Sequence, residues 1–112
     1  MKFLDQMEQV IPRDKLVREV NQRRDKYEVG RKRLPTKLML KVYFLQLWYN
    51  LSDPEAEDAI YDRVSFQKFL DMDILKDKAP DESTILRFRH FLEKHKLQRR
   101  MFKVINKVLE KE

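Results

Sequence analysis

The stretch "LMLKVYFLQLWY" (Leu38–Tyr49) decides the fold. Ten of its twelve residues are apolar, and the two polar ones, Lys41 and Gln46, leave no wholly polar side to a helix wound through them. A helix that is apolar on nearly every side has to be surrounded by other elements. Pro35 fits the first turn of such a helix, where its missing N–H costs nothing. We therefore read a central helix from Pro35 to about Asn50, with Phe44, Leu47 and Trp48 in the core and Lys37 and Lys41 sharing its one polar edge.

The segment that follows, "NLSDPEAEDAIYDRVSFQKFL" (Asn50–Leu70), turns acidic. "SDPE" is a helix-start pattern: Ser52 caps the N-terminus and Glu55 reaches back from the third helical position. Asp53, Glu55, Glu57 and Asp58 then lie where they complement the positive end of the helix dipole. This helix runs to about Asp62, and a short one, "SFQKFL", follows with Ser65 as its cap. "DMDILKDKAPDE" is a loop, and Asp81 caps a further helix that runs to about His95. A last helix starts near Leu97, with Leu97, Met101, Phe102, Ile105, Val108 and Leu109 on one face.

Upstream, Phe3, Leu4, Met7 and Val10 mark a short first helix that Pro12 interrupts. A second begins just beyond, with Leu16, Val17, Val20 and Tyr27 as a thin apolar stripe and Arg18, Arg23, Arg24 and Lys26 covering the remainder. It stops near Gly30, the only glycine. The expected fold is all-α: a bundle of five or six helices around the central one, forming a single domain over residues 1–112. One glycine among 112 residues does not suit a sheet of many short strands. The absence of cysteine excludes a disulfide scaffold and thiolate metal sites. The longest apolar run is too short to span a bilayer, and the acids of "MKFLDQMEQV" do not suit a signal peptide. A soluble, cytoplasmic protein without membrane partner is expected. The chain ends at "EKE" with no glycine or proline stop, as at a cut inside a longer protein or a frayed natural end.

Charge is segregated rather than mixed. Arg13 to Lys41 holds eleven basic and four acidic residues, Leu51 to Glu82 four and ten, Ser83 to Lys107 eight and one. The net charge is +6. Two positive blocks flanking a negative one can present a field to a polyanion, with nucleic acid the commonest candidate.

The helix "DESTILRFRHFLEKH" (Asp81–His95) carries the sharpest functional signal. At 100° per residue, Ile85, Phe88, Phe91 and Leu92 cluster on one side and Ser83, Arg87, His90 and Lys94 line the other. A helix that reads a DNA groove needs that division: an apolar back, and short and long donors in front. Arginine can fork onto guanine, while lysine and serine hold phosphate. The competing reading is a merely solvated face, which most charged helix faces are. The charge blocks tilt the choice toward DNA. The Ser65–Leu70 helix would be the supporting helix of a helix-turn-helix, with a longer loop than usual. Further phosphate contacts are expected from Arg31, Lys32 and Arg33 in the basic loop, and from Arg99, Arg100 and Lys103 on the last helix. Arg89, about 40° from Ile85, needs a carboxylate, for which Asp58 or Asp62 is the expected source.

Other chemistry finds little support. Asp71, Asp73, Asp77 and Glu82 match a calcium-loop register, but Leu75 and Lys76 stand where a ligand and a glycine are required. His90 and His95 are splayed about 140° apart and do not form the i, i+4 pair of a zinc helix. No catalytic constellation, cofactor site or small-molecule substrate is indicated.

Taken together, "LMLKVYFLQLWYNLSDPEAEDAIYDRVSFQKFL", "PDESTILRFRHFLEKHKL" and "MFKVINKVL" resemble the N-terminal domain of insertion-sequence transposases of the IS-five (InsH) group. The resemblance covers about Arg31 to Leu109, and residues 1–30 match only loosely. It implies a helical domain that precedes an RNase H-like domain with a DDE triad of metal-binding carboxylates. No acid of this chain matches a triad position, so the chain itself is expected to be catalytically inert. The implied role is recognition of terminal inverted repeats in double-stranded DNA during transposition. Two alternatives stay open. One is an assembly module, a homo-dimer in which the acidic middle of one subunit meets a basic block of another with Tyr43 or Tyr49 at the seam. The other is a truncated product that acts as a repressor on element ends.

Overall fold

The computed structural model describes residues 2–28 and 33–111, excepting the side chains of residues 2, 108, 109 and 111. Among these residues the chain forms seven α-helices and no strand: α1 (Lys2–Val10), α2 (Arg13–Tyr27), α3 (Thr36–Tyr49), α4 (Asp53–Asp62), α5 (Val64–Phe69), α6 (Glu82–Lys94) and α7 (Gln98–Lys111). These are the seven elements placed from the sequence, the short α5 included, around the central helix of the expected bundle.

The central helix is α3. From Met39 to Gln46 every residue is buried, including Tyr43 and Lys41, as a helix apolar all round requires. Helices α2, α4 and α6 pack against it, α6 also lies on α4, and α5 sits between α4 and α1. Leu16 and Val20 of α2, Ile60 of α4, Phe66 of α5, Ile85 and Leu92 of α6, and Met101 of α7 complete one core. Trp48 is partly buried among the rings of Phe3, Phe44 and Phe69, at 5.3, 5.6 and 5.7 Å.

Helix boundaries follow local chemistry. Glu55 N donates to Ser52 Oγ (3.2 Å) and Ser52 N to Glu55 Oε1 (2.8 Å), forming the expected capping box at α4. Thr84 N donates to Asp81 Oδ1 (2.8 Å) at the start of α6. Helices α3, α5 and α6 stop on residues in the left-handed region, Asn50, Asp71 and Lys96, with φ between 53° and 58°. After each, the next N–H folds back onto the last turn: Leu51 to Gln46 O, Met72 to Gln67 O, Leu97 to Leu92 O.

Several expectations are corrected. Val64, not a residue after a Ser65 cap, opens α5; Arg63 precedes it and offers no side-chain cap. Val10 is exposed and Ile11, just past α1, is buried in its place. Phe102 is 46% exposed, so the apolar stripe of α7 rests on Met101 and Ile105. Val108 and Leu109 fall outside the described side chains, and Gly30 outside the described residues. Helix α2 ends at Tyr27.

The two largest corrections concern cations. Lys41 is buried rather than on a wet edge. Its Nζ donates to Glu8 Oε1 (2.8 Å) and to Phe69 O (2.6 Å), tying α1 and the end of α5 to α3. Arg24 is buried rather than covering α2. It donates to Leu34 O (2.9 Å), Thr36 Oγ1 (3.0 Å) and Glu28 Oε1 (3.1 Å), with its guanidinium 5.3 Å from the Phe88 ring centre. Buried charges persist only when paired and hydrogen-bonded, and both of these are.

Candidate nucleic-acid interface

The position of α6 is set from both ends. At its N-terminus, Asp81 caps Thr84 N, and Glu57 of α4 accepts from Glu82 N at 2.7 Å. Two turns on, Arg89 grips Asp53, the first residue of α4 and one turn before Glu57: Nη2 to Oδ2 at 2.8 Å and Nε to Oδ1 at 3.2 Å. The two helices therefore cross antiparallel. This corrects the expected partner of Arg89, which is Asp53 rather than Asp58 or Asp62. Those two acids lie on the exposed side of α4, away from α6. The Arg89 hydrogen bonds hold the Asp53 carboxyl below the usual carboxylate range, against the opposing effect of burial.

The apolar back of α6 (Ile85, Phe88, Leu92) is buried as expected, with Phe91 half-buried. Ser83, Arg87, His90 and Lys94 are all exposed. Arg87 donates to Thr84 Oγ1 (3.3 Å); among the described residues neither Arg87 nor Lys94 is paired with an acid. The supporting contacts of α6 come from α4 and α3, whereas α5 packs chiefly on α4 and α1. The frame that carries this face is thus chiefly α4 and α3.

An open groove of about 570 Å³ runs between α6, the end of α2 and the strand of chain entering α3. Arg33, Arg87, His90 and Lys94 stand around it, and Leu34, Met39, Phe88 and Phe91 lie beneath. The buried Arg24 fixes this geometry, because its bonds to Leu34 O and Thr36 anchor the basic loop beside α6. Glu28 also lines the groove, but its carboxylate is taken up by Arg24. Arg33 is bonded to Asp25. Arg31 and Lys32 lie outside the described residues.

The remaining predicted contacts lie elsewhere. Ser83 is at the far end of α6 and does not line the groove. On α7, Arg99 and Lys103 are exposed, and Arg100 forks onto Glu19 of α2 at 3.0 and 3.1 Å. Arg100 thus staples α7 to α2, and a phosphate there has to compete with a carboxylate. The sequence-predicted set accordingly divides into a groove cluster (Arg33, Arg87, His90, Lys94) and an α7 cluster (Arg99, Arg100, Lys103).

Sequence reasoning missed an aromatic cluster that joins α2 to the end of α6 behind Phe91. His95 lies 4.6 Å from the Tyr27 ring and 4.4 Å from that of Phe91. Its pKa is lowered from the ordinary histidine value, first by burial and then by the charges of Lys94 and Arg23, which favours the neutral ring. The five-residue spacing of the two histidines held the signal: it aims one outward and the other at the neighbouring helix. The calcium-register acids do other work. Asp73 and Asp77 bond backbone N–H groups within their own loop, and Asp71 lies near Lys41. No group of three metal-capable side chains occurs among the described residues. No described helix is long and apolar enough to cross a membrane.

No solved structure matches the chain. A family model described as a transposase domain (DUF772) matches residues 1–91, that is, α1 to most of α6. The match takes in the first thirty residues, which the motif resemblance covers only loosely, and more than half of the sequence. The chain belongs to the transposase domain (DUF772) family.

Proposed function

We propose that this chain is a DNA-binding N-terminal part of a transposase, of the IS-five (InsH) group, that recognises the ends of its element in the cytoplasm. The DDE acids of such an enzyme would reside in a separate catalytic domain. The observation that carries this reading is the groove cluster. Arg33, Arg87, His90 and Lys94, drawn from the two positive blocks of the sequence, converge on one open face, and Arg87 and Lys94 are unpaired there among the described residues. Membership of a transposase family makes duplex DNA the polyanion of choice.

In this reading, Lys94 holds a backbone phosphate and so sets the register of α6 on the duplex, and Arg33, bonded to Asp25, adds a second where phosphate displaces that carboxylate. Arg87 has a five-donor fork suited to the O6/N7 edge of guanine, and His90 lies one turn from it toward the same groove. Ser83, Arg99, Arg100 and Lys103 extend the footprint along the two ends of the domain. The test is a mobility-shift titration with a duplex carrying the element's terminal inverted repeat and a scrambled duplex of equal length. Preference for the repeat at low salt supports the reading; no shift with either duplex at low salt refutes it.

A second reading, a dimerisation module, is favoured by a different surface. Tyr61 (45% exposed) and Val64 (64%) are open to solvent beside the exposed acids Asp58 and Asp62 at the α4–α5 corner. The seam expected at Tyr43 does not exist, because that ring is buried, and Tyr49 is packed on Phe66 and Phe3. A stable dimer by light scattering, without DNA affinity, would favour this reading. A chain that binds ends but lacks the catalytic part would act there as a repressor.

A further inference from the structure

We propose that the groove beside α6 takes an unpaired nucleotide at the end of a DNA duplex. The inference rests on the DNA-binding reading above and goes beyond it, from the duplex to a single unstacked base. It comes from a mismatch between the rim of the groove and its floor. The rim is cationic: Arg87 and Lys94, with Arg33 beside them bonded to Asp25. The floor is not. It is laid by Leu34 and the ring of Phe91, both half-buried, with Met39 and Phe88 beneath them. A paired duplex offers a protein phosphates, sugars and polar base edges, and little apolar surface beyond the thymine methyl. Phosphate binding alone gives no use for an apolar floor. An unpaired base does, because its flat face gains by lying on an apolar or aromatic surface while its phosphates stay on flanking cations.

Size and access fit the same ligand. A volume of about 570 Å³ lies within the range of small-molecule sites, about 300–1,000 Å³, and the groove is open along one side, as a tethered nucleotide requires. Phe91 is backed by the His95–Tyr27 stack and so is held as a platform rather than left to swing. Arg24 holds Leu34 opposite it through the 2.9 Å bond to the Leu34 carbonyl. Charge complementarity selects a nucleotide over an apolar peptide: the only acid lining the groove, among the described residues, is Glu28, and Arg24 neutralises it.

The test compares three DNAs of one sequence by fluorescence anisotropy: a blunt duplex, the same duplex with a one-nucleotide overhang, and one whose overhanging base is 2-aminopurine. The wild-type chain is set against Phe91→Ala, with circular dichroism to confirm its fold, and against Leu34→Asp. The overhang is expected to tighten binding by about ten-fold or more, as one base stacked on an aromatic platform does. The 2-aminopurine emission is expected to change on binding, and both variants are expected to lose the preference, read as the ratio of overhang to blunt affinity within each variant. Equal affinity for blunt and overhanging DNA overturns the inference while leaving duplex recognition intact. An overhang preference unchanged in both variants also overturns it, since the base would then sit elsewhere. No binding to any of the three DNAs overturns both readings.

Discussion

Replacing Arg89 by methionine probes the joint that sets α6 against α4. In the native chain Arg89 makes two hydrogen bonds to Asp53 and one to Glu93 (3.2 Å). The Asp53 side chain is only 13% exposed and that of Arg89 34%. Breaking a fully buried pair costs about 3–5 kcal/mol, because one charge is left without its partner. Fully exposed pairs are worth about 0.2–1 kcal/mol. With one partner mostly buried, the other a third open to water, and Gln46 Nε2 still donating to Asp53 at 2.8 Å, the expected loss is about 2 kcal/mol. For a domain of this size that corresponds to a fall in Tm of about 8 °C.

Urea unfolding followed by Trp48 fluorescence measures the loss, and a double-mutant cycle with Asp53→Asn isolates the pair. A coupling of about 1–2 kcal/mol is expected. The sign of the pH dependence follows from Asp53, whose carboxyl is held below its unfolded value. The stabilisation is therefore full above the unfolded pKa near 4 and fades as pH falls through the lower, folded one. The gap between wild type and Arg89→Met should close in acid. A coupling below about 0.5 kcal/mol, or an equal coupling with Asp58→Asn, would refute the assignment of Asp53 as the partner.

Three further outcomes follow from the same structure. Lys41→Ala leaves the Phe69 carbonyl without its donor, while Glu8 keeps Arg13, and should cost about 2 kcal/mol in the same unfolding assay, whereas Lys37→Ala, on the exposed side of α3, should change little. Lys96→Gly removes a side chain from a left-handed helix stop (φ 58°) and should stabilise by about 0.5–1 kcal/mol, read as a higher urea midpoint. Asp81→Ala should speed amide exchange in the first turn of α6. Because its bond from Thr84 N holds that carboxyl below the usual range, the cap works above the unfolded carboxyl pKa and weakens in acid, so mutant and wild type should converge at low pH.

The frame was legible because it rests on short-range rules. The apolar run of α3, the capping box at Ser52 and the Asp81 cap each depend on neighbours within four residues, and each stands as read. Lys41 and Arg24 were misplaced because burial of a cation depends on distant partners. Glu8 is 33 residues from Lys41, and Leu34 and Thr36 are 10 and 12 from Arg24. A local signal for Arg24 did exist, since it continues the i, i+4 line of Leu16 and Val20. For Arg89 the need for an acid of α4 could be read, but the choice among Asp53, Asp58 and Asp62 depended on which end of α4 the later helix would cross. The groove was legible only in pieces. Its α6 face follows from periodicity, whereas the approach of Arg33 depends on the Arg24 tether, which no spacing reveals.

The central claim is that Arg33, Arg87 and Lys94 meet DNA phosphates or base edges from one groove. The most direct measurement is the salt dependence of inverted-repeat binding by fluorescence anisotropy, for wild type and for Lys94→Gln. The slope of log K against log salt is expected to become shallower by about one in the variant, with scrambled and cognate duplex weakened alike. Arg87→Gln, by contrast, should cost the cognate duplex more than the scrambled one. An unchanged slope in Lys94→Gln, with wild type still binding DNA, would mean that the contact surface lies elsewhere on the domain.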